Sequence, residues 1–254
     1  MPRLLRSDRV FRIKPLKGYS HAFHIGLTIL LPLAAYVLVR IDFVSLAILL
    51  ILLSKWRMFA VRPRYWVANV IAGGVDITVS VAFVLFMANT SVQWWQLFWT
   101  AAYISWTTFL KPRSDVLSVS AQAMLGQLLG LAVLYLKFGD TPLFVLVGGT
   151  WLVTYVSARH FMSSFEESRT SLYAHVWAYF SAGLAFILGH WLLFYGSIAQ
   201  IIVILTVLGY SMAALYYLDS VDRLSPKLKQ QLLGIMIMIL VLVVALSDWT
   251  GTTV

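Results

Sequence analysis

Asn69, Gly73, Asp76 and Ser80 interrupt an otherwise apolar run, VANVIAGGVDITVSVAFVLFM, over residues 67–87. At about 100° per residue they fall within about 60° of arc on one helical face. Val70, Ile71, Val75, Ile77, Val79 and Val81 occupy the remaining faces. Asp76 stands about eleven residues from either end of the expected helix, which predicts a depth near the middle of a bilayer. An ionised carboxylate at that depth costs on the order of 2.5–3.5 kcal/mol, so it must be paired, hydrated in a cavity or protonated. Arg64, the nearest basic residue on the same segment, lies ~18 Å away along a helix, too far to pair directly. With no cation expected at its own depth, Asp76 reads either as a proton or cation site or as a neutral carboxyl hydrogen bonded to neighbouring Ser, Thr, Gln or Tyr.

A second segment, VLSVSAQAMLGQLLGLAVLYL, carries Gln122 and Gln127 among small and apolar residues. Either glutamine could line a polar path with Asp76. Gly126 and Gly130 form a small-xxx-small pair that lets another helix approach closely, and Gly73 offers the same on its own helix. Ser114 and Asp115 read as a helix N-cap and a first-turn acid, with no chemistry assigned. His175 and His190 share one face of a further apolar segment, ~22 Å apart, so they cannot ligate one metal ion. They could relay protons on either side of a midplane acid, or simply hydrogen bond at the membrane interfaces.

The connecting stretch ARHFMSSFEESRTSLYAH gathers His160, Glu166, Glu167 and His175, weak candidates for a divalent metal because no recognised ligand spacing is present. Glu166, Glu167 and Arg169, followed by Phe186 and His190, partly match the EExxxR and FxxxH motifs of CAAX-type intramembrane proteases. The arginine falls two places early and no histidine follows His190, so the HxxxN motif is missing and that chemistry is set aside. The chain has no cysteine, which excludes disulfides, thiol nucleophiles and Cys-ligated clusters. No cofactor is implied.

The elements that must position these residues follow from composition. Of 254 residues, 61% are hydrophobic and 11% charged, against about 45–50% and about 25% in soluble domains. Apolar runs of roughly 20 residues recur from His24 to Ser247 and lack strand-like alternation, which predicts an all-α, polytopic integral membrane helix bundle. The segments are His24–Val39, Phe43–Ser54, Tyr65–Met87, Trp94–Leu110, Val116–Leu136, Leu143–Ser157, Ser171–Tyr195, Ile198–Leu218 and Leu232–Ser247. They make about nine transmembrane helices, with ends uncertain by ~2–4 residues. Residues 1–23 form a basic N-terminal segment, 24–247 a single transmembrane domain and 248–254 a short tail.

Charge distribution orients them. With the N terminus cytoplasmic and Arg40–Asp42 read as a turn between two helices, every Lys and Arg of the 19 except Arg40 and Lys137 falls on the cytoplasmic side. Merging the first two segments inverts everything downstream and strands Arg40 in the membrane. The C terminus is then expected outside. The formal charge of +9 therefore marks topology and a preference for anionic lipid rather than nucleic acid. Trp56, Tyr65 and Trp66 at one interface and Trp94, Trp95 and Trp99 at the other read as aromatic belts.

The resulting expectation is a small multi-pass protein of the cell (inner) membrane, a permease or ion/proton-coupled carrier with a polar path around Asp76. Asn69, Ser80, Gln122, Gln127, His175 and His190 are the candidates to line it, with a proton or small cation as coupling ion. Two alternatives stand beside it. One is a non-catalytic scaffold or complex subunit, with membrane-protein partners or copies of itself. The other is an intramembrane enzyme using the His160, Glu166, Glu167 and His175 cluster.

Overall fold

The computed structural model describes residues 19–165, 169–190, 194–195 and 198–248, with the side chains of all but 19–24, 194 and 195. The basic segment 1–18, Glu166, Glu167 and the tail 249–254 lie outside the described residues.

The described chain is helical apart from one short strand pair. It runs α1 (Tyr19–Arg40), α2 (Val44–Ser54), α3 (Trp66–Ala72), α4 (Gly74–Ala88), α5 (Gln93–Ser105), α6 (Val116–Phe138), α7 (Leu143–Ser163), α8 (Thr170–Gly189), β1 (Phe194–Tyr195), β2 (Ile198–Ala199), α9 (Gln200–Ser220) and α10 (Pro226–Leu246). The strands pair antiparallel, Phe194 opposite Ala199. Here the chain departs from the expected span Ser171–Tyr195, because the helix stops at Gly189.

The break at Arg40–Asp42 is present. Asp42 adopts φ 63°, a left-handed conformation that aspartate tolerates better than most residues, and the chain reverses there between α1 and α2. The span expected to run unbroken over Tyr65–Met87 does not. It divides at Gly73 into α3 and α4, whose axes differ by 58°. Adjacent glycines weaken the helix locally, and their missing side chains admit neighbours. A Cβ on Gly73 would lie 2.0 Å from Met58 Cε, and one on Gly74 would lie 2.5 Å from Val156 Cγ1. The stripe Asn69, Gly73, Asp76, Ser80 is therefore not one continuous face.

By length and composition α6, α8, α9 and α10 can each cross a membrane, and α3 with its preceding turn and α4 could serve as a fifth, bent span. Ile25–Arg40 of α1 and all of α2 are apolar but shorter.

The interior holds two apolar clusters. Val39, Ile51, Val79, Val84, Met87 and Tyr103 join α1, α2, α4 and α5. Leu131, Leu146, Ala185, Ile202 and Leu205 join α6 to α9. Small residues bring α4 and α6 together, since a Cβ on Gly126 would approach Val75 Cγ1 to 2.9 Å and one on Gly130 would approach Thr78 Cγ2 to 2.6 Å. The outer surface is apolar as well: Leu30, Leu53, Phe109, Leu152, Ile187 and Ile237 all face outward. A soluble monomer rarely presents so much hydrocarbon, whereas a bilayer accepts it. Only Val243 of α10 is buried, so this helix lies at the periphery of the described bundle.

Candidate functional site

The bend at Gly73 relocates Asp76. Instead of standing midway along a span, it occupies the first turn of α4, where its charge complements the positive end of the helix dipole. Three elements converge on it. Lys55, immediately after α2, donates from Nζ to Asp76 Oδ2. Lys111 Nζ stands 2.8 Å from the same oxygen. Trp106 Nε1 donates to Oδ1 at 3.2 Å. The expectation that no cation reaches Asp76 is thus corrected. Arg64 is indeed not its partner, but the tertiary fold brings two lysines that stand 21 residues before it and 35 after it in sequence.

Each partner has a local cause. Trp106 begins a π-helical turn, Trp106–Leu110, that ends α5, and the backbone N–H of Lys111 donates back to Trp106 O at 2.9 Å. Such a turn inserts a residue into the helical register, and here both residues that bracket it reach Asp76. Lys55 follows the last turn of α2, and Asn69 Nδ2 donates to Met58 O at 3.1 Å, tying the segment after Lys55 to α3. Lys55 is 7% exposed and Asp76 15%, while Lys111, at 42%, keeps contact with solvent. A buried ion pair of this kind is costly to break from one side, because the remaining charge is stranded.

These groups line a cavity of about 370 Å³ together with Arg57, Gln122 and His160. Gln122 is held firmly. Its Nε2 donates to Leu110 O at 2.6 Å and to Arg113 O at 3.0 Å, which orients Oε1 toward His160 Nε2, 3.0 Å away. An amide oxygen only accepts, so this contact places a His160 proton on Nε2 and leaves Nδ1 to gain or lose one. The cavity wall carries three basic side chains, Lys55, Arg57 and Lys111, against the single carboxylate of Asp76.

Of the residues read from the sequence as lining a path, Asp76 and Gln122 share this cavity, and His160, first considered only as a metal ligand, joins them. The others lie elsewhere. Asn69 braces Met58. Ser80 is wholly buried in the core. Gln127 lines a second, mostly apolar cavity of about 390 Å³ between α6, α7, α8 and α9, where it accepts from Trp177 Nε1 at 3.0 Å and donates to Leu205 O at 2.9 Å. Gly209 permits that approach, as a Cβ there would meet Gln127 Nε2 at 2.8 Å. His175 packs its ring 4.6 Å from that of Tyr155 and pairs Nδ1 with Ser171 O at 2.6 Å. His190 is exposed at the end of α8 beside Phe186 O. Among the described residues no group of three or more His, Asp or Glu side chains could hold a metal ion. Glu166 and Glu167 of the candidate cluster lie outside those residues.

Lys55, Lys111 and Trp106 carry the site alongside Asp76, and none of them was singled out for it from the sequence. The two lysines read as topology charges and the tryptophan as part of an apolar segment. The adjacent glycines 73 and 74 were the available signal, because a helix broken there moves Asp76 to the end of the bundle where basic residues collect.

Compared with known protein families, curated proteins and solved structures, the chain matches none of them.

Proposed function

We propose that the chain is an integral membrane carrier that crosses the bilayer about nine times, with its basic end cytoplasmic, and that Asp76 is the charge-switching group of its polar path. One observation carries this reading: a carboxylate is clamped between two lysines on the wall of a cavity that Arg57, Gln122 and His160 also line. Residues of this kind are expensive inside a membrane bundle and commonly mark ion or substrate paths.

The two ammonium groups sharing Asp76 Oδ2 favour a proton over a metal cation as the coupling ion, since a further cation would meet their repulsion. Protonation at a carboxylate oxygen of Asp76 would remove the negative charge that holds Lys55 and Lys111 together. The lysines would then repel one another or engage another anion, and the segments they end, the C-terminal end of α2 and the π turn after α5, would part from the start of α4. His160, held in place by Gln122, supplies a second titratable group on the same wall. The positive charge distribution supports the cytoplasmic assignment of this end.

Purified protein in proteoliposomes containing a pH-sensitive dye tests the proposal. The wild type should move protons across the bilayer, and Asp76→Asn should reduce the rate at least about tenfold. The double variant Asp76→Asn with Lys55→Gln removes the stranded lysine and so separates lost coupling from lost folding. Wild-type flux in a folded double variant would remove Asp76 from the mechanism.

A further inference from the structure

We infer that the cavity beside Asp76 binds a phosphate oxyanion, with Lys111, Arg57 and Lys55 as its counter-charges. Three observations meet here. Three basic side chains line the cavity against one carboxylate, which leaves a surplus that a phosphate carrying about −1.5 to −2 charges would balance. Lys111 is 42% exposed and Arg57 is exposed, so both can meet a ligand from the aqueous side without being dragged out of a core. At about 370 Å³ the space exceeds what one ion needs, and the excess suits the organic remainder of a phosphate ester or hydrating water. Lysine is a common point-charge partner of phosphate, and charge-assisted hydrogen bonds to its oxygens are among the stronger ones.

Asp76 is the built-in competitor. Its carboxylate occupies Lys111 and Lys55 when the site is empty, and an incoming phosphate displaces it from Lys111, the more exposed of the two. Phosphate binding and neutralisation of Asp76 therefore favour one another, and by linkage each strengthens the other by the same factor. This deepens the carrier reading by naming the class of solute. It rests on that reading only for the movement of the ligand, since binding can be measured without transport.

The same phosphate chemistry could come from a free solute or from a phospholipid headgroup at the membrane surface. Isothermal titration of the full chain in phosphatidylcholine nanodiscs with inorganic phosphate, against chloride at equal ionic strength, reads the free anion. The titration is repeated in nanodiscs containing phosphatidylglycerol. Phosphate should bind, chloride should not replace it, and Lys111→Gln and Arg57→Gln should each weaken it at least about tenfold. Both single variants alter exposed residues, and a thermal melt verifies that they fold. If phosphatidylglycerol abolishes phosphate binding, and the protein retains lipid phosphorus that Lys111→Gln loses, the headgroup is the ligand. Equal binding in both nanodiscs identifies a free phosphate. The proposal is overturned if phosphate gives no heat beyond chloride and no retained lipid depends on Lys111. It is also overturned if the lysine and arginine variants bind as the wild type does. Phosphate binding without proton flux would remove the carrier reading and leave the site standing, and flux without phosphate binding would do the reverse.

Discussion

Asp76 draws its role from what surrounds it. Oδ2 takes both lysines and Oδ1 takes the Trp106 indole, so each carboxylate oxygen has a partner. Removing the charge by Asp76→Asn strands Lys55, which is 7% exposed, and should cost about 3–5 kcal/mol of stability. Adding Lys55→Gln should restore most of it, as read by thermal unfolding in detergent. A double variant no more stable than the single one would show that the pair does not carry that energy. Asp115 offers a smaller contrast at the surface. Its side chain accepts from the Ser118 backbone N–H at 3.1 Å and caps α6. The Ser118 hydroxyl and amide hold its carboxyl below the usual aspartate range. A depressed pKa stabilises the fold above the unfolded value, and that contribution fades as pH falls through the folded one. Asp115→Ala should thus cost about 1 kcal/mol at neutral pH and progressively less in strong acid, which a pH series of unfolding midpoints would reveal.

Among the helices, glycines divide by what faces them. Gly130 meets Thr78 and Val153, with an added Cβ only 2.6 and 2.8 Å from their methyl carbons. Both are β-branched side chains with little freedom to yield. Gly130→Ala should therefore push α6 away from α4 and α7 at a cost of about 1–3 kcal/mol. Gly183 of α8 has nothing within 4 Å of an added Cβ. There the helix-propensity gain operates alone, and Gly183→Ala should be neutral or stabilising by up to about 1 kcal/mol. Comparing the two melting temperatures checks the assignment, and equal shifts would contradict the packing described. The bend between α3 and α4 and the π turn after α5 act on the site in the same manner: each departs from a regular helix, and each turns a functional group toward Asp76.

For the whole molecule, the absence of cysteine makes topology directly testable. Single cysteines at Lys137, in the last turn of α6, and at Arg223, between α9 and α10, should react with an impermeant maleimide from opposite sides of a sealed membrane. Arg223→Cys should be accessible from the cytoplasm and Lys137→Cys from outside. Labelling of both from one face would overturn the proposed orientation. The outward-facing apolar side chains of α8, α9 and α10 need hydrocarbon around them, and the exposed Arg57 and Lys111 beside Asp76 need water, so the molecule is built for an interface between the two.

Much was readable from the chain alone. Its apolar content called for helices, the Arg40–Asp42 break separated α1 from α2, and Asp76 stood out as an acid among apolar neighbours. Such features depend on composition and local pattern, which a linear sequence carries. The partners of Asp76 did not follow, because they depend on where the chain turns. A weakening at Gly73 and Gly74 shifts the carboxylate from an expected midspan position to a helix start, and a π turn directs Trp106 and Lys111 toward it. Only the tertiary structure, where packing against Met58 and Val156 selects the bend, decided that Asp76 meets two lysines rather than none.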